Sequence, residues 1–419
     1  MNNRIKASYI LETAESVEKA VAILAGEQSS GTFVKLPGET AELTERFGAK
    51  VEKIEHLGSS ETPYLNDSKI PKNISKPLFH KAKVEISWNY ENVGSNLPTL
   101  MATVAGNLFE LSQFSGLKLL DMELPQVFRQ SFKGPKFAIE GTRKFTNVYD
   151  RPIVGTIIKP SVGLSPEQTG EQVKTLIEGG LDFIKDDELM ADPPHSPFEK
   201  RVACAMKEIN KHADATGKKV MYAFNISGDT EDMKRRHDIV FKHGGTCIML
   251  SLNWVGISAV KEMSEYSQLP VHGHRNGWGM FYRPEMMGIT FPVYKKIFSL
   301  AGVDHLHTNG LRNKFCESDE SVLRSIKSCQ SEEGGSFKVM PIVSSGQWAD
   351  QAADTYAAVG NTDLMYLCGG GITAHPDGIK AGVESVRIAW EEGMKGLQLQ
   401  DIAHKYPVIK KAIEFYAKR

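Results

Sequence analysis

The sequence has few of the features that mark membrane, secreted or nucleic-acid-binding proteins. No apolar run approaches the roughly 18 residues that a helix needs to span a bilayer, and the first residues lack the apolar core of a signal peptide. Basic and acidic residues balance to a net charge of −1, which gives no electrostatic reason to bind nucleic acid or an acidic membrane. We therefore expect a soluble cytoplasmic protein without a nucleic-acid or membrane partner.

Cysteine is also scarce, with five residues in a chain of 419. An odd number of scattered cysteines, without paired Cys-x-x-Cys spacing, fits neither a disulfide framework nor a zinc site built on cysteine pairs. We expect reduced thiols at all five positions, which are Cys204, Cys247, Cys316, Cys329 and Cys368.

The length of the chain exceeds one typical hydrophobic core and favours two domains. Residues 1–135 mix strand-like segments with helical spacing at 15–25 and 97–108, which predicts an α+β domain of the ferredoxin-like, split-βαβ kind. Glycine and proline between 134 and 152 indicate the connector. We therefore predict an N-terminal α+β domain at 1–135 and a second domain at 136–419.

From residue 153 onward, short apolar runs alternate with helical stretches. The runs occupy 153–158, 181–184, 220–224, 247–250, 269–271, 303–306, 339–343 and 364–367. This alternation predicts a (β/α)₈ TIM barrel of α/β class, and 399–417 fit a C-terminal helical extension. A doubly wound open sheet is the alternative, but no Gly-x-Gly-x-x-Gly motif opens the first helix of this region.

The second apolar run ends in four charged residues, Lys-Asp-Asp-Glu at 185–188. Because unpaired charges are costly inside a core, a solvated loop after the strand is the simplest interpretation. The alternative is a magnesium site, since Mg²⁺ prefers one or two carboxylates together with water and substrate oxygens. Barrel active sites lie at the C-terminal ends of the strands, so the residues that follow the other strands distinguish the two interpretations.

Chemically active side chains follow several of those strands. Lys159 ends the first strand, Asn225 the third and His307 the sixth, while His274 and Arg275 end the fifth. Taken singly, each has an ordinary structural interpretation, and a strand histidine is often only a hydrogen-bonded core residue. Together at one rim they favour an enzyme site over a non-enzymatic scaffold or binding protein, which would tolerate loss of the metal ligands.

Small residues end the last two strands, with Ser344, Ser345 and Gly346 after the seventh and glycines 369–371 after the eighth. Barrels often bind phosphate between these loops, because glycine lets backbone N–H groups approach an anion closely. A flexible turn is the alternative for the glycines. Arg275 and His307 could hold a second anionic group across the mouth. The residues alone thus indicate a metal-dependent enzyme acting on a small phosphorylated molecule.

These strand-end motifs resemble the RuBisCO superfamily over nearly the whole chain. The motifs Gly-Thr-Ile-Ile-Lys-Pro at 155–160, Lys-Asp-Asp-Glu at 185–188, His-Gly-His-Arg at 272–275 and Gly-Gly-Gly at 369–371 occur in the family's order. The resemblance implies that Lys185 reacts with CO₂ to form a carbamate, which binds Mg²⁺ with Asp187 and Glu188. It also implies that Lys159 donates or accepts a proton near the reacting carbons and that His274 is a polar or proton-transfer group.

The same resemblance assigns the remaining site residues. Lys314 matches the lysine of the mobile loop that closes over the family's active site. Phosphate or substrate hydroxyls would be bound by Arg275, His307, Ser344, Gly346, Gly369 and Gly370. In the N-terminal part, Glu27, Thr32 and Asn107 match segments that reach into a neighbouring subunit's site. The resemblance therefore implies a homodimer with shared active sites.

Several positions depart from true RuBisCO. Ser161 replaces the second lysine after the first strand, Phe33 replaces a tryptophan, and the loop at 308–314 lacks the family's small Ser-Gly-Thr pattern. Residues 251–254 also differ from the family's usual ending of the fourth strand. The chain therefore resembles a RuBisCO-like protein, and these changes argue against a bisphosphate substrate.

Residues 272–279 and 309–314 are similar to the branch that acts on 3-oxo-isoapionate 4-phosphate. The resemblance implies Mg²⁺-dependent decarboxylation of this phosphorylated β-keto sugar acid through a metal-stabilised enediolate. A transcarboxylase/hydrolase acting on the same substrate is the main alternative. Carboxylation of ribulose bisphosphate fits the residues less well, because Ser161 and Phe33 differ from true RuBisCO. Methionine-salvage enolase chemistry also fits less well, because that branch tends to carry lysine where Asn107 stands.

Overall fold

The computed structural model describes residues 3–30, 37–72 and 75–417. Its contacts divide the chain into two compact units. The first comprises Met1–Lys133, Gly277–Leu300 and Glu332–Phe337, and the second comprises Gly134–Asn276, Ala301–Ser331 and Lys338–Arg419. The domain boundary at 135/136 stays a prediction.

The strands alternate with helices along most of the chain. The strands of the described ranges are β1 Arg4–Thr13, β2 Lys50–Ser60, β3 Phe79–Asn89, β4 Phe114–Glu123, β5 Ile153–Ile157, β6 Phe183–Lys185, β7 Met221–Asn225, β8 Cys247–Ser251, β9 Val271–His274, β10 Met287–Ile289, β11 His305–His307, β12 Met340–Val343 and β13 Met365–Leu367. Most barrel strands are three to five residues long, which matches the short apolar runs of the sequence.

The helices include several single turns. The α-helices of the described ranges are α1 Val17–Glu27, α2 Ala41–Phe47, α3 Tyr90–Val93, α4 Leu97–Ala105, α5 Gln126–Arg129, α6 Ala138–Thr146, α7 Pro166–Glu178, α8 Phe198–Thr216, α9 Thr230–Lys242, α10 Leu252–Val255, α11 Ile257–Tyr266, α12 Gly279–Tyr282, α13 Phe291–Leu300, α14 Asp319–Cys329, α15 Ala352–Val359, α16 Gly370–Thr373, α17 Ile379–Gly393, α18 Leu399–Lys405 and α19 Pro407–Tyr416.

The first unit contains a five-stranded sheet in the order β10-β4-β1-β3-β2. The pairs β1–β3, β1–β4 and β2–β3 are antiparallel, and β10 runs parallel to β4. Along β1, buried Ile5, Ala7, Tyr9 and Leu11 alternate with half-buried residues, as a sheet with one covered face requires. The α+β architecture predicted for this part of the chain is confirmed, whereas strand β10 was not predicted.

The second unit is a closed barrel of eight parallel strands in the order β11-β12-β13-β5-β6-β7-β8-β9. These strands correspond to the eight apolar runs, so the predicted TIM barrel is confirmed. Its interior is filled by apolar side chains that include Phe183, Met249 and Ile342. Local signals set the helix limits: α7 begins at a capping box between Ser165 and Gln168, which satisfies N–H groups of its first turn.

Two further features bear on the composition of the chain. All five cysteines are free, and three of them (Cys247, Cys329 and Cys368) are buried. Within the described ranges, no helix combines the length and apolar character that crossing a membrane requires.

Candidate active site

The charged run after β6 is divided by the alternation of the strand. Successive side chains point to opposite faces, so Phe183 and Lys185 share the barrel interior while Asp186 points away from it. The side chain of Lys185 is 2% exposed, and its Nζ donates a hydrogen bond to the backbone oxygen of Asp186 at 2.9 Å. The four consecutive charged side chains therefore lie in two different environments.

Asp186 is held in the barrel wall. Its Oδ1 accepts a hydrogen bond from the Tyr222 hydroxyl at 2.7 Å, and its Oδ2 accepts one from the Asn225 backbone N–H at 3.0 Å. Arg201 of α8 supplies the countercharge at 3.4 Å, with both side chains 1% exposed. This carboxylate therefore supports the end of β6 and is not directed at the mouth.

We expect Arg201→Met to destabilise the protein by about 3–5 kcal/mol, because it leaves the Asp186 carboxylate buried without its countercharge. Urea unfolding would measure the loss. Arg324→Met is the matched control, since Arg324 pairs with Glu320 at side-chain exposures of 64% and 80%, and its removal is expected to cost at most about 1 kcal/mol. Equal losses for the two variants would contradict the assignment of Asp186.

Lys185, Asp187 and Glu188 meet at the C-terminal end of β6. Asp187 is buried, Glu188 is half-buried, and the Lys185 Nζ lies 3.5 Å from the Glu188 Oε2. Burial lowers the pKa of Lys185 below its usual value, although the carboxylates of Glu188 and Asp187 oppose this shift. A larger fraction of this amine is consequently neutral, and therefore nucleophilic, than of an exposed lysine.

Lys159, at the end of β5, lies against this cluster. Its Nζ donates to the Asp187 Oδ2 at 2.7 Å and to the Ser161 Oγ at 2.6 Å. The side chain is 38% exposed, so the ammonium group lies at the open side of the barrel. Ser161 thus accepts a hydrogen bond from Lys159.

His274 borders the cluster from β9, with its Nε2 3.5 Å from the Glu188 Oε2. Burial, followed by the Lys185 charge, lowers the pKa of His274 to about 4, so its imidazole is neutral at neutral pH. Burial alone would raise the pKa of Glu188. In the acid range where Glu188 titrates, His274 is protonated, and the positive charges of His274 and Lys185 outweigh burial and lower that pKa to about 2. Glu188 is therefore an anion throughout the physiological range.

The donor set fits a hard divalent cation once Lys185 is counted. Across the described ranges, no three His, Cys, Asp or Glu side chains are grouped so as to hold a metal ion. Asp187 and Glu188 supply two carboxylates, and the buried Lys185 amine lies beside them. Conversion of that amine to a carbamate would replace a cation by an anionic oxygen donor and give three groups suited to Mg²⁺.

A chain of buried histidines runs from the barrel interior to the mouth. His305 contacts the Thr142 Oγ1 at 2.7 Å and His272 at 3.4 Å, and His272 contacts His307 at 2.8 Å. The His307 Nδ1 then lies 3.2 Å from the Ser344 Oγ at the end of β12. Burial is the first cause that lowers the pKa of each of these imidazoles, so they are neutral.

The other predicted residues of the barrel lie around the same rim. Arg275 is buried and forms an ion pair with Glu317 at 3.0 Å. Lys314 is exposed; its backbone N–H donates to the Ser345 oxygen at 3.2 Å, and its Nζ lies 5.2 Å from the centre of the Phe315 ring. Lys314 therefore belongs to the loop after β11 and approaches the loop after β12.

The glycine loops after β12 and β13 approach each other closely. A Cβ on Gly371 would lie 2.3 Å from the backbone oxygen of Gln347, so only glycine permits this contact. Gly346 has φ +89°, a conformation that L residues rarely adopt. A Cβ on Gly370 would meet nothing within 4 Å, and one on Gly369 would meet only Ile157 and Lys159. The backbone there borders open space next to Lys159.

The predicted residues of the N-terminal part lie in the first unit. Glu27 is the last residue of α1, and Asn107 begins a short 3₁₀ helix, Asn107–Glu110. Thr32 and Phe33 lie outside the described residues. Their contribution to a neighbouring subunit's site stays a prediction.

Two residues, Asn225 and Glu317, have structural roles in the site that were not predicted from the sequence. The Asn225 Nδ2 donates to the backbone oxygens of Asp187 at 3.3 Å and Glu188 at 3.0 Å, which fixes the segment that carries both carboxylates. A polar residue at the end of the apolar β7 was the available signal. Glu317, the partner of Arg275, gave no such signal, because an acidic residue just before a helix is common.

Comparison with known proteins identifies the family of this chain. The model of the ribulose bisphosphate carboxylase large chain, catalytic domain, matches residues 138–416, and the model of its N-terminal domain matches residues 3–128. A rubisco-like protein from Burkholderia fungorum has a solved structure with a TM-score of 0.93 at 40% identity, covering 99% of this chain and 100% of that one.

Two relatives carry names that state an activity. A 3-oxo-isoapionate-4-phosphate transcarboxylase/hydrolase of Xanthobacter autotrophicus is 49% identical and covers 99% of this chain and 100% of its own. A 3-oxo-isoapionate-4-phosphate decarboxylase of Rhizobium etli is 41% identical and covers 98% of both chains. With both family models matched and relatives of this similarity, the chain belongs to the RuBisCO large-chain family, among its RuBisCO-like members.

Proposed function

We propose that this protein decarboxylates a phosphorylated β-keto sugar acid of the 3-oxo-isoapionate 4-phosphate type. The observation that carries the proposal is the cluster of Lys185, Asp187 and Glu188 beside Lys159 at the barrel mouth. Relatives at 40–49% identity are named for this substrate, which supports the substrate class.

The buried amine of Lys185 is suited to reaction with CO₂. Its lowered pKa favours the neutral form, which attacks CO₂ to give a carbamate and release a proton. Lys185, Asp187 and Glu188 would then hold Mg²⁺, which when bound supplies Lewis-acid stabilisation of negative charge on the substrate oxygens. Asn225 keeps Asp187 and Glu188 in place through their backbone oxygens.

The reaction needs a proton at the carbon that loses CO₂. Breaking the carbon–carboxylate bond leaves its electron pair as an enediolate, and protonation of that carbon gives a ketose phosphate one carbon shorter. Lys159 is the proposed donor, because its ammonium group is partly exposed and held by Asp187 and Ser161. His274, which is neutral at neutral pH, would orient a substrate hydroxyl.

We assign the single phosphate to the loops after β12 and β13. Gly369 and Gly370 present backbone at open space next to Lys159, and Gly346 lies against Lys314 of the neighbouring loop. Free N–H groups at the start of a helix bind anions, and glycine permits their close approach. Lys314 lies on the neighbouring loop and would close over the substrate.

A transcarboxylase/hydrolase activity on the same substrate is the second candidate. The observation that favours it is the 49% identity to the Xanthobacter autotrophicus protein of that name, against 41% to the named decarboxylase of Rhizobium etli. Both activities would use the same rim residues, so the products separate them.

The proposal is tested by incubating 3-oxo-isoapionate 4-phosphate with the protein, Mg²⁺ and bicarbonate and identifying the products by NMR. Decarboxylation predicts CO₂ and a ketose phosphate. A glycolate and a phosphoglycerate without CO₂ release would establish the second candidate. Incorporation of labelled bicarbonate into phosphoglycerate from ribulose bisphosphate would contradict both.

We also propose that the active form is a homodimer whose sites are completed by Glu27, Thr32 and Asn107 of the opposite subunit, as a two-fold interface permits. Mixing inactive Asn107→Ala with inactive Lys185→Ala protein is then expected to restore about a quarter of the sites if subunits exchange randomly. Activity assays of the mixture would measure the recovery. No recovery, despite exchange shown by native mass spectrometry of tagged subunits, would place Asn107 outside the site.

A further inference from the structure

Glu317 is a buried carboxylate with all of its oxygen atoms engaged. Its Oε2 accepts from the Arg275 Nη2 at 3.0 Å and from the Asn309 Nδ2 at 2.6 Å. Its Oε1 accepts from the Ser321 Oγ at 2.9 Å and the Ser325 Oγ at 3.4 Å. The Glu317 side chain is 2% exposed and that of Arg275 is 6% exposed. The pair is thus a fixed, desolvated unit.

This unit lies at the rim of the barrel, and it contacts the loop after β12 through Asn309. Arg275 follows the last residue of β9, and Asn309 follows β11 by two residues. Glu317 precedes the N-cap residue of α14, whose first turns supply Ser321 and Ser325. The carboxylate therefore ties the loop after β11 to the end of β9.

The ion pair cancels the charge that Arg275 would present to an anion. A phosphate at the end of β9 would share the guanidinium group with a carboxylate of like charge, and withdrawal of Arg275 would leave Glu317 buried without its countercharge. The neighbouring His307 adds no charge, because burial holds its pKa well below the usual value. This side of the mouth can orient a hydroxyl or carbonyl group but attracts a second phosphate weakly.

We propose that Glu317 is a specificity-determining residue, which neutralises Arg275 so that the mouth accepts a sugar with one phosphate and gains nothing from a second. The inference rests on the proposed function, in which one phosphate occupies the loops after β12 and β13. It gives a physical cause for discrimination against bisphosphates that is separate from the change at Ser161.

Calorimetric titration with two unreactive ligands, xylitol 5-phosphate and xylitol 1,5-bisphosphate, tests this inference in the presence of Mg²⁺ and bicarbonate. For the unsubstituted protein we expect dissociation constants within about threefold of each other. Glu317→Gln keeps the shape of the side chain but removes its charge, and is expected to bind the bisphosphate about tenfold more tightly while monophosphate binding stays within about threefold. If Glu317 had a purely structural role, its substitution would not be expected to change the ratio of the two dissociation constants.

Glu320→Gln is the matched control, because Glu320 lies three residues after Glu317, in the first turn of α14, and is exposed. It is expected to alter neither constant. The inference is overturned if the unsubstituted protein already prefers the bisphosphate by about tenfold or more, a result that needs no variant to fold. It is equally overturned if Glu317→Gln leaves the ratio unchanged.

Failure of the proposed function gives a different result. If the unsubstituted protein binds neither xylitol phosphate, the assignment of phosphate to the glycine loops is wrong. Inorganic phosphate then decides the role of Glu317 alone: Glu317→Gln is expected to bind it about tenfold more tightly than the unsubstituted protein does, and equal binding would overturn the inference.

Discussion

Lys185→Ala is expected to abolish Mg²⁺-dependent turnover while the fold is retained. Lys185 lies within 3.5 Å of Glu188, and its removal deletes the amine proposed to become a third oxygen donor beside Asp187 and Glu188. Because one interior side chain is shortened, a stability loss of about 2–5 kcal/mol is expected as well. Release of CO₂ from the β-keto acid measures activity, and circular dichroism reports the fold.

Lys174→Ala is the control for this variant, since Lys174 is an exposed lysine of α7. Its activity is expected to match that of the unsubstituted protein. Treatment with EDTA should reproduce the loss seen for Lys185→Ala, and added Mg²⁺ should reverse it. Full activity in Lys185→Ala, or indifference to EDTA, would show that the cluster after β6 is not the metal site.

Lys159→Met is expected to lower kcat by about 10²–10⁴-fold, the usual contribution of a positioned acid or base. The substitution removes the ammonium group that Asp187 and Ser161 hold at the mouth, and with it the proposed proton donor. Steady-state kinetics would measure the effect. In D₂O, the unsubstituted protein should place one deuterium on the carbon that loses CO₂.

Lys200→Met serves as the control, because Lys200 is exposed on α8. A Lys159→Met enzyme with kcat within about threefold of the unsubstituted protein would assign proton donation to another group. Because Lys159 also contacts Asp187, the substitution could affect the metal site as well as the proton donor. Thermal unfolding of Lys159→Met with and without Mg²⁺ separates the two effects, since stabilisation by Mg²⁺ would show that the metal site is intact.

Much of the barrel could be predicted because its strands are buried on both faces and appear in the sequence as short apolar runs. The run at 247–250, for example, is β8, Cys247–Ser251. Strand β10 could not be predicted in this way. It has three half-buried residues, and its partner β4 lies far earlier in the chain, so pairing between distant segments defines it.

The rim of the site could be predicted for a similar reason, since the residues that follow barrel strands converge on one end of the barrel. Lys159 and Asp187 are an example, with their side chains 2.7 Å apart. The pairing of Arg275 with Glu317 could not be predicted, because it joins residues 42 positions apart and no local pattern marks Glu317 as the partner. Sequence motifs place residues at a rim, but the contacts between loops determine which charges remain available.

The most direct test of the central claim, that Lys185 completes the metal site as a carbamate, is ¹³C NMR of the protein equilibrated with ¹³CO₂ and Mg²⁺. We predict one carbamate signal per chain that is absent from Lys185→Ala and present in Lys174→Ala. The signal should weaken when Mg²⁺ is withheld, since the metal and the carbamate stabilise each other by linkage. Absence of any Lys185-dependent signal under conditions in which the protein turns over its substrate would contradict the claim.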